Sequence, residues 1–377
     1  MRLDSKSVGL AVAMFLFSSS WALLPSTQFL FSVYAQTSEA QNRKVEADRL
    51  MEQGNKLLQQ NQLQQALEML QKGLVIYQAI AARKEEGFAL KDIGNVYLAL
   101  KEYTKSIDYQ KQALAIAVQI KNQDLQARAL NNIGLIYQNS NESEQAIAYF
   151  EQSLVVSQSS QNFKMIVLTS RNLANLYSTL KDYPKALTVL QAALTTIQPI
   201  SEYLEDAAFL LNAMGTLHRE QKNYHQAIEY YQKGLVTAQK IKNQQLEKSF
   251  LLLMGISYQS LEDYQEALSF YKKAAEVIKQ TRDESSETQV LIGIGDIYGE
   301  TLNDYQTAIQ YYQQGLKIAE KIQDQNLQVL ALLNTAHSLY KLAPSQAEYQ
   351  NSIKFAERGL QLAQSINNLS SKARALA

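Results

Sequence analysis

The sequence predicts an all-α protein, a solenoid of about eight helix-turn-helix units, each near forty residues long. A small residue recurs at Gly54, Gly94, Gly134, Ala174, Gly215, Gly255, Gly295 and Ala336, with spacings of 40, 40, 40, 41, 40, 40 and 41. A second small residue keeps step at Ala66, Ser106, Ala146, Ala186, Ala227, Ala267, Ala308 and Ser352. Around them, apolar residues repeat at intervals of three and four, the spacing of one helical face. Self-similarity at a fixed period of this length marks stacked units, none of which can bury its apolar side alone.

Composition narrows the function classes. The apolar fraction of 46% belongs to a folded chain, and only four prolines interrupt 377 residues. There is no cysteine, which excludes disulfides, thiol catalysis and thiolate metal sites. Basic and acidic residues number 36 each, so nothing suggests the basic stripe of a nucleic-acid binder.

Residues 1–35 stand outside the repeat. Arg2 and Lys6 precede the apolar run Val8–Phe17, and aliphatic or small residues lead to Val33-Tyr34-Ala35-Gln36. This order reads as a secretory signal cut between Ala35 and Gln36, giving an exported, periplasmic or extracellular protein. The competing reading is a retained membrane anchor. Val8–Leu24 forms about 25 Å of helix, which barely spans a bilayer. Residues 36–44 read as a polar linker, and the repeats fill 45–366.

The stretch Ala127–Leu154 is the clearest unit. Leu130, Ile133, Ile136 and Tyr137 line one face of a first helix, with Gly134 mid-helix. There a glycine costs about 1 kcal/mol relative to alanine, a cost tolerated where a neighbouring helix approaches closely. Asn139-Ser140-Asn141 breaks the pattern, and Ser143 is the expected N-cap of a second helix carrying Ala146, Ile147, Phe150 and Leu154. The units run roughly 47–86, 87–126, 127–166, 167–207, 208–247, 248–287, 288–328 and 329–366. The first reads as a polar cap. In the middle units the second helix is expected to be longer than a minimal repeat needs, and that extra turn would account for the forty-residue period. Unit eight departs: Asn334-Thr335-Ala336-His337 leaves Ala336 or His337 in the glycine's place, and a long turn is expected over Lys341–Asn351. Residues 367–377 read as the start of a ninth unit, since Ile366–Ala377 parallels Ile120–Asn131. The apolar face of unit eight is then open, and end-to-end self-association is expected there.

One unit shows Gly94, Tyr97, Tyr103, Ala113 and Leu114; another shows Gly255, Tyr258, Tyr264, Ala267 and Ala274. With the aromatic pairs Tyr230-Tyr231 and Tyr311-Tyr312, these resemble the tetratricopeptide repeat (TPR), in the extended form of cell-polarity and bacterial signalling scaffolds. The whole also resembles the exported TPR portion of cyanobacterial proteins that carry a C-terminal caspase-like (CHAT) domain. The resemblance implies a right-handed superhelix whose first helices line a concave groove. It also implies a non-catalytic scaffold that binds peptide or protein segments there. The alternatives it leaves are a regulatory or sensor arm for a separately encoded CHAT enzyme, and an assembly factor tethered to a membrane if residues 1–35 are retained.

Asn95, Asn132, Asn172, Asn175 and Asn212 fall on first helices, where the resemblance puts the groove. An amide both donates and accepts, so a ladder of them suits the backbone of an extended peptide. The bland alternative is that such asparagines bond between neighbouring helices. Lys91, Asn95 and Asn132 also match three positions of the carboxylate clamp by which some TPRs hold a peptide C-terminus. The two remaining basic positions fall on Leu168 and Asn172, with Arg128 and Arg171 at other offsets. A carboxylate held from one side only is weakly bound.

Gly293-Ile294-Gly295-Asp296-Ile297-Tyr298-Gly299 mimics a dinucleotide fingerprint but follows no strand. His218 occupies a tyrosine position and reads as a core substitute. His225 and His337 join no carboxylate cluster, and no HExxH is present. No metal, cofactor or catalytic residue is expected.

Overall fold

The computed structural model describes residues 25–342 and 346–366. Among these it contains sixteen α-helices and no strand. They alternate as first and second helices of eight hairpins: α1 (Pro25–Gln59) with α2 (Leu63–Ala79), α3 (Arg83–Ala99) with α4 (Tyr103–Gln119), α5 (Gln123–Asn139) with α6 (Ser143–Ser159), and α7 (Phe163–Thr179) with α8 (Tyr183–Ile197). There follow α9 (Leu204–Glu220) with α10 (Tyr224–Lys240), α11 (Gln244–Ser260) with α12 (Tyr264–Thr281), α13 (Glu284–Asp296) with α14 (Tyr305–Lys321), and α15 (Gln325–Leu342) with α16 (Gln346–Ser365). The chain divides into two compact units at Tyr149 and Phe150. Within each, a helix packs on the one before it and the one after it, and first helices also touch successive first helices, as α3 touches α5 and α7 touches α9.

The forty-residue period is two equal halves. First and second helices are both 17 residues long in hairpin two, and again in hairpin five. The expected extra turn is therefore shared between both helices, not confined to the second. The joints are alike as well. Asn61, Ala81, Lys101, Lys121, Asn141, Gln161 and Lys181 all have positive φ, one every twenty residues. Each follows a helix C-terminus in the left-handed conformation. At Lys101 the backbone N–H donates to Leu98 O at 2.9 Å, and the next N–H, of Glu102, reaches Tyr97 O at 2.9 Å. This pair of bonds satisfies carbonyls that the helix end would orphan. None of the left-handed residues is glycine, so a glycine-seeking reading of the sequence finds no joint there.

That geometry costs a side chain about 1–2 kcal/mol. Ala81→Gly is expected to raise stability by about 0.5–1 kcal/mol, since relief of this cost exceeds the added freedom of the unfolded chain. A higher urea midpoint with unchanged slope checks it.

Eight of the sixteen helices then start on a side-chain cap one residue past the left-handed one. Asn122 accepts from Leu125 N at 3.0 Å, Asn162 from Met165 N at 3.2 Å, and Asp304 from Thr307 N at 3.1 Å. Ser143, the expected cap, lies one residue inside α6. Glu142 holds the cap position, and its carbonyl accepts from Ala146 N at 3.1 Å.

The two spacings of 41 are absorbed differently. Between α8 and α9, Pro199 cannot continue the standard joint, and a short 3-10 turn, Ser201–Tyr203, takes up the extra residue. In hairpin seven the extra residue widens the first helix itself. Ile297–Thr301 is a π turn, in which Leu302 N donates to Ile297 O at 3.2 Å.

Several sequence expectations change. Residues 36–44 are not a separate linker but part of α1, as are Ala35 and Gln36. At the other end, Lys341 and Leu342 extend α15, and 346–351 open α16, so the long turn shrinks to a joint whose middle, with Pro344, lies outside the described residues. Ala336 takes the glycine's place. Ser352 Oγ donates to Ala336 O at 2.8 Å, as Ser106 Oγ does to Gly94 O at 2.7 Å. The expected ninth unit, 367–377, and most of the expected signal segment, 1–24, lie outside the described residues.

The mid-helix glycines answer to close approach. A Cβ on Gly215 would stand 2.4 Å from Tyr231 Cε1, and one on Gly234 would stand 2.2 Å from Phe250 Cζ. Tyr231, Tyr271 and Tyr312 lie over Gly215, Gly255 and Gly295, and are the largest fully buried side chains with Phe150 and Phe250. Other periodic tyrosines stack across their hairpins: Tyr97 on Tyr109 at 5.3 Å, Tyr258 on Phe270 at 5.3 Å, Tyr298 on Tyr311 at 5.7 Å. His218 joins this series, 5.2 Å from Tyr230 with the rings 11° from parallel, so it is the core substitute expected from its place.

Burial lowers the His218 pKa below its usual 6.5, and its buried Nδ1 has no hydrogen-bond partner. The folded state therefore resists a proton that the unfolded chain accepts. Stability is fully present above about pH 6.5 and falls as pH drops below it. His218→Tyr is expected to flatten the melting temperature between pH 7.5 and 5, with Tyr230 still stacked.

Candidate functional site

First helices carry the candidate groups, and their side chains sort into two kinds. The first kind is tied to the neighbouring hairpin by a repeated rule. The residue after the mid-helix glycine bonds to the residue two places before the small residue of the next unit. Asn55 Nδ2 donates to Asp92 Oδ2 at 3.3 Å, Asn132 Nδ2 to Asn95 Oδ1 at 2.9 Å, and Asn334 Nδ2 to Asp296 Oδ1 at 2.7 Å. Tyr312 Oη adds a bond to the same Asp296 oxygen at 2.8 Å. These are polar stitches between successive first helices.

Three of the predicted residues belong to this kind. Asn95 accepts from Asn132 and also from Gln110 Nε2 at 2.9 Å, and Gln110 further donates to the Lys91 carbonyl at 2.9 Å. Lys91 is ion-paired with Asp92, the acceptor of the Asn55 stitch. The structure thus brings Lys91, Asn95 and Asn132 together, but engages them with each other and with their neighbours.

The second kind lies around α7 and α9. There the stitch positions are Asn175 and Ala213, and alanine offers no partner. Asn175 is exposed, and its side chain forms no hydrogen bond among the described residues. A recess of about 380 Å³ opens at this point. Asn172, Asn175 and Ser178 line one wall; Ala213, Thr216 and Leu217 line the other. Leu168 and Arg171 stand at one end and Glu220 at the other.

The charges at the two ends are not neutralised. Arg171 makes no ion pair within 4 Å among the described residues; its guanidinium lies 5.5 Å from the centre of the Phe209 ring. Glu220 Oε2 accepts from Ser178 Oγ at 2.9 Å and makes no ion pair within 4 Å among the described residues. Nearby, burial and then the adjacent Glu205 push Asp206 above the usual carboxylate range, against the pull of Arg171 and Lys164. Asn212 is half-buried on α9, and its Oδ1 is buried without a partner.

Asn172 and Asn175 are therefore the predicted residues that meet at an open surface. Ser178, Thr216, Leu217 and Glu220 were missed. The signal was present: Ala174 replaces the glycine, and the spacing to Gly215 is 41, one residue more than the regular 40.

Among the described residues, no three His, Asp or Glu side chains are grouped to hold a metal ion. The Gly293–Gly299 run lies within α13 and the π turn that follows it, with no strand before it. Among those residues, no helix is long and apolar enough to cross a membrane.

The tetratricopeptide repeat pattern matches residues 86–158, 165–240 and 249–321, more than half of the chain. No curated protein matches in sequence. Solved structures similar to the chain include the apo form of the quorum sensor NprR of B. thuringiensis, at 15% identity and TM-score 0.56, covering 89% of this chain and 94% of that one. Aspartyl phosphate phosphatase F of Bacillus subtilis is similar at 16% identity and TM-score 0.53, over 88% and 92% of the two chains. A Signal Transduction ATPase with Numerous Domains (STAND) protein from Pyrococcus horikoshii, described as having a tetratricopeptide repeat sensor, reaches TM-score 0.62 at 17% identity, over 86% of this chain and 48% of that one. At these identities the likeness is one of fold.

Proposed function

The chain belongs to the tetratricopeptide repeat family, and on that premise we propose that it is a non-catalytic scaffold whose first helices hold an extended segment of a partner protein. The observation that carries this is the recess between α7 and α9. Asn55, Asn95 and Asp296, each just after the small residue of its first helix, are spent on stitches to the next first helix. At the recess, Asn175 stands exposed without a partner beside Asn172, with apolar floor residues between two unpaired charges. Amides facing such a trough suit a peptide backbone whatever its side chains. Pull-down with the chain is compared with Asn175→Ala and with Asn132→Ala. Asn175→Ala is expected to lose partner recovery about tenfold while Asn132→Ala keeps it, because Asn132 is already bonded to Asn95. Equal recovery with all three would refute the reading.

A second reading is a sensor arm acting on a separately encoded enzyme, such as a CHAT domain. It is supported by the Pyrococcus horikoshii protein, about half of whose length this chain covers and whose repeats are described as a sensor. Co-purification with such an enzyme, and a change in its activity on adding the chain, distinguishes this arm from a stand-alone scaffold.

The proposal places the protein outside the cytoplasm, with a signal removed between Ala35 and Gln36. Intact mass of the exported chain tests it: a product beginning at Gln36 supports export by cleavage, and retention of residues 1–35 supports a membrane-tethered assembly factor.

A further inference from the structure

Resting on the groove reading above, we infer that the occupant of the α7–α9 recess is an extended partner segment carrying an acidic and a basic side chain about five residues apart, with an aliphatic residue between them. The argument starts from the two unpaired ends. Arg171 sits three residues before Ala174, and Glu220 sits five residues after Gly215, the matching position of the next unit. The two helices pack side by side. Arg171 lies over Phe209, so the two are level, and Glu220 stands eleven residues after Phe209 on the same helix. At about 1.5 Å per residue this is about 16 Å. An extended chain advances about 3.3–3.6 Å per residue, so about five residues cover the distance.

Charge fixes the order. The guanidinium of Arg171 offers a planar fork that fits a carboxylate, and no carboxylate of the described residues comes within 4 Å of it. Glu220 accepts only from a serine hydroxyl, which leaves acceptor capacity for an ammonium or guanidinium. Between the ends, Ala213 and Leu217 give one wall an apolar stretch, and Asn172 and Asn175 line the wall opposite. A segment with one charge only, or with two of the same sign, leaves one end facing an unmatched group. Opposite charges across an interface add specificity by rejecting the wrong partner as much as by attracting the right one.

The experiment is selection of a displayed library of random, terminally blocked peptides against the full chain, repeated with Arg171→Glu/Glu220→Arg. Both side chains are exposed, so the exchange leaves the core as it is. The expected result is enrichment of sequences with an acid and a base about five residues apart, reversed in order for the exchanged variant. Arg171→Ala is expected to weaken the enriched peptides about tenfold. Enriched peptides without the charge pair, or a preference unchanged by the exchange, overturn the inference and leave the groove reading standing. Peptides that bind only with a free terminus also overturn it, in favour of terminus capture. Failure to enrich any peptide overturns the groove reading and this inference together.

Discussion

Asp283→Ala is expected to lower stability by about 3 kcal/mol. Lys248 on α11 is 4% exposed, and its ammonium is ion-paired with Asp283, in the joint before α13. Removing the carboxylate leaves a buried charge without a counterion, which typically costs about 3–5 kcal/mol. The lower end applies because the Asp283 side chain keeps 26% of its surface in solvent. Asp283 is also the cap of α13, accepting from Ser286 N at 3.1 Å and from Ser286 Oγ at 2.9 Å. Asp283→Asn, which can still cap, is expected to cost less. Lys248→Met combined with Asp283→Ala is expected to regain most of the loss, because apolar packing replaces a buried pair at little cost. Chemical denaturation of the four chains decides. A double variant no better than Asp283→Ala would mean that the pair is not what holds the joint.

Acid should act on the same contact. Burial opposes ionisation of Asp283, but the Lys248 ammonium and the Ser286 donors outweigh it and hold the carboxyl below its usual 3.8. Its contribution is present above pH 3.8 and is lost as pH falls through the lower folded value.

Phe250→Ala is expected to cost about 3–5 kcal/mol. Phe250 is 1% exposed, lies over Gly234 and meets Tyr231 ring to ring at 6.4 Å. The cavity left by its ring has little freedom to collapse between three helices. The complementary change, Gly234→Ala, forces a methyl group against the ring and is expected to cost about 1–3 kcal/mol. Combined with Phe250→Leu, it should cost less than the two single changes added together, since the smaller side chain vacates the clash. Strict additivity in a thermal or urea series would show that the ring does not rest on the glycine.

The repeat, its count and its helical hairpins were legible because each glycine has a packing reason that recurs every forty residues. Tyr231, Tyr271 and Tyr312 must lie flat on something, and only a glycine gives them room. The equal halves were not legible. The left-handed joint residues are lysine, asparagine, glutamine, alanine, glutamate and arginine in turn, so no single residue type marks them. The stitches were half legible. Asn95 and Asn132 were singled out as groove residues, whereas their bond to each other depends on a spacing of 37 that no one-position scan reveals. The recess depended on what is missing, an alanine at 213 where a stitch partner would stand. The π turn left only a spacing of 41 as its trace, and an insertion of one residue does not say whether a joint or a helix will take it up.

The uniform joints have a consequence for how the chain acquires its shape. Contacts within each unit link segments adjacent in sequence, so no early step has to close a wide loop. A hairpin can settle as soon as it and the next one are available, and docking then spreads outward from any starting point. A chain that emerges end first, from a ribosome or from a translocation pore, is thus able to wind itself up as it comes.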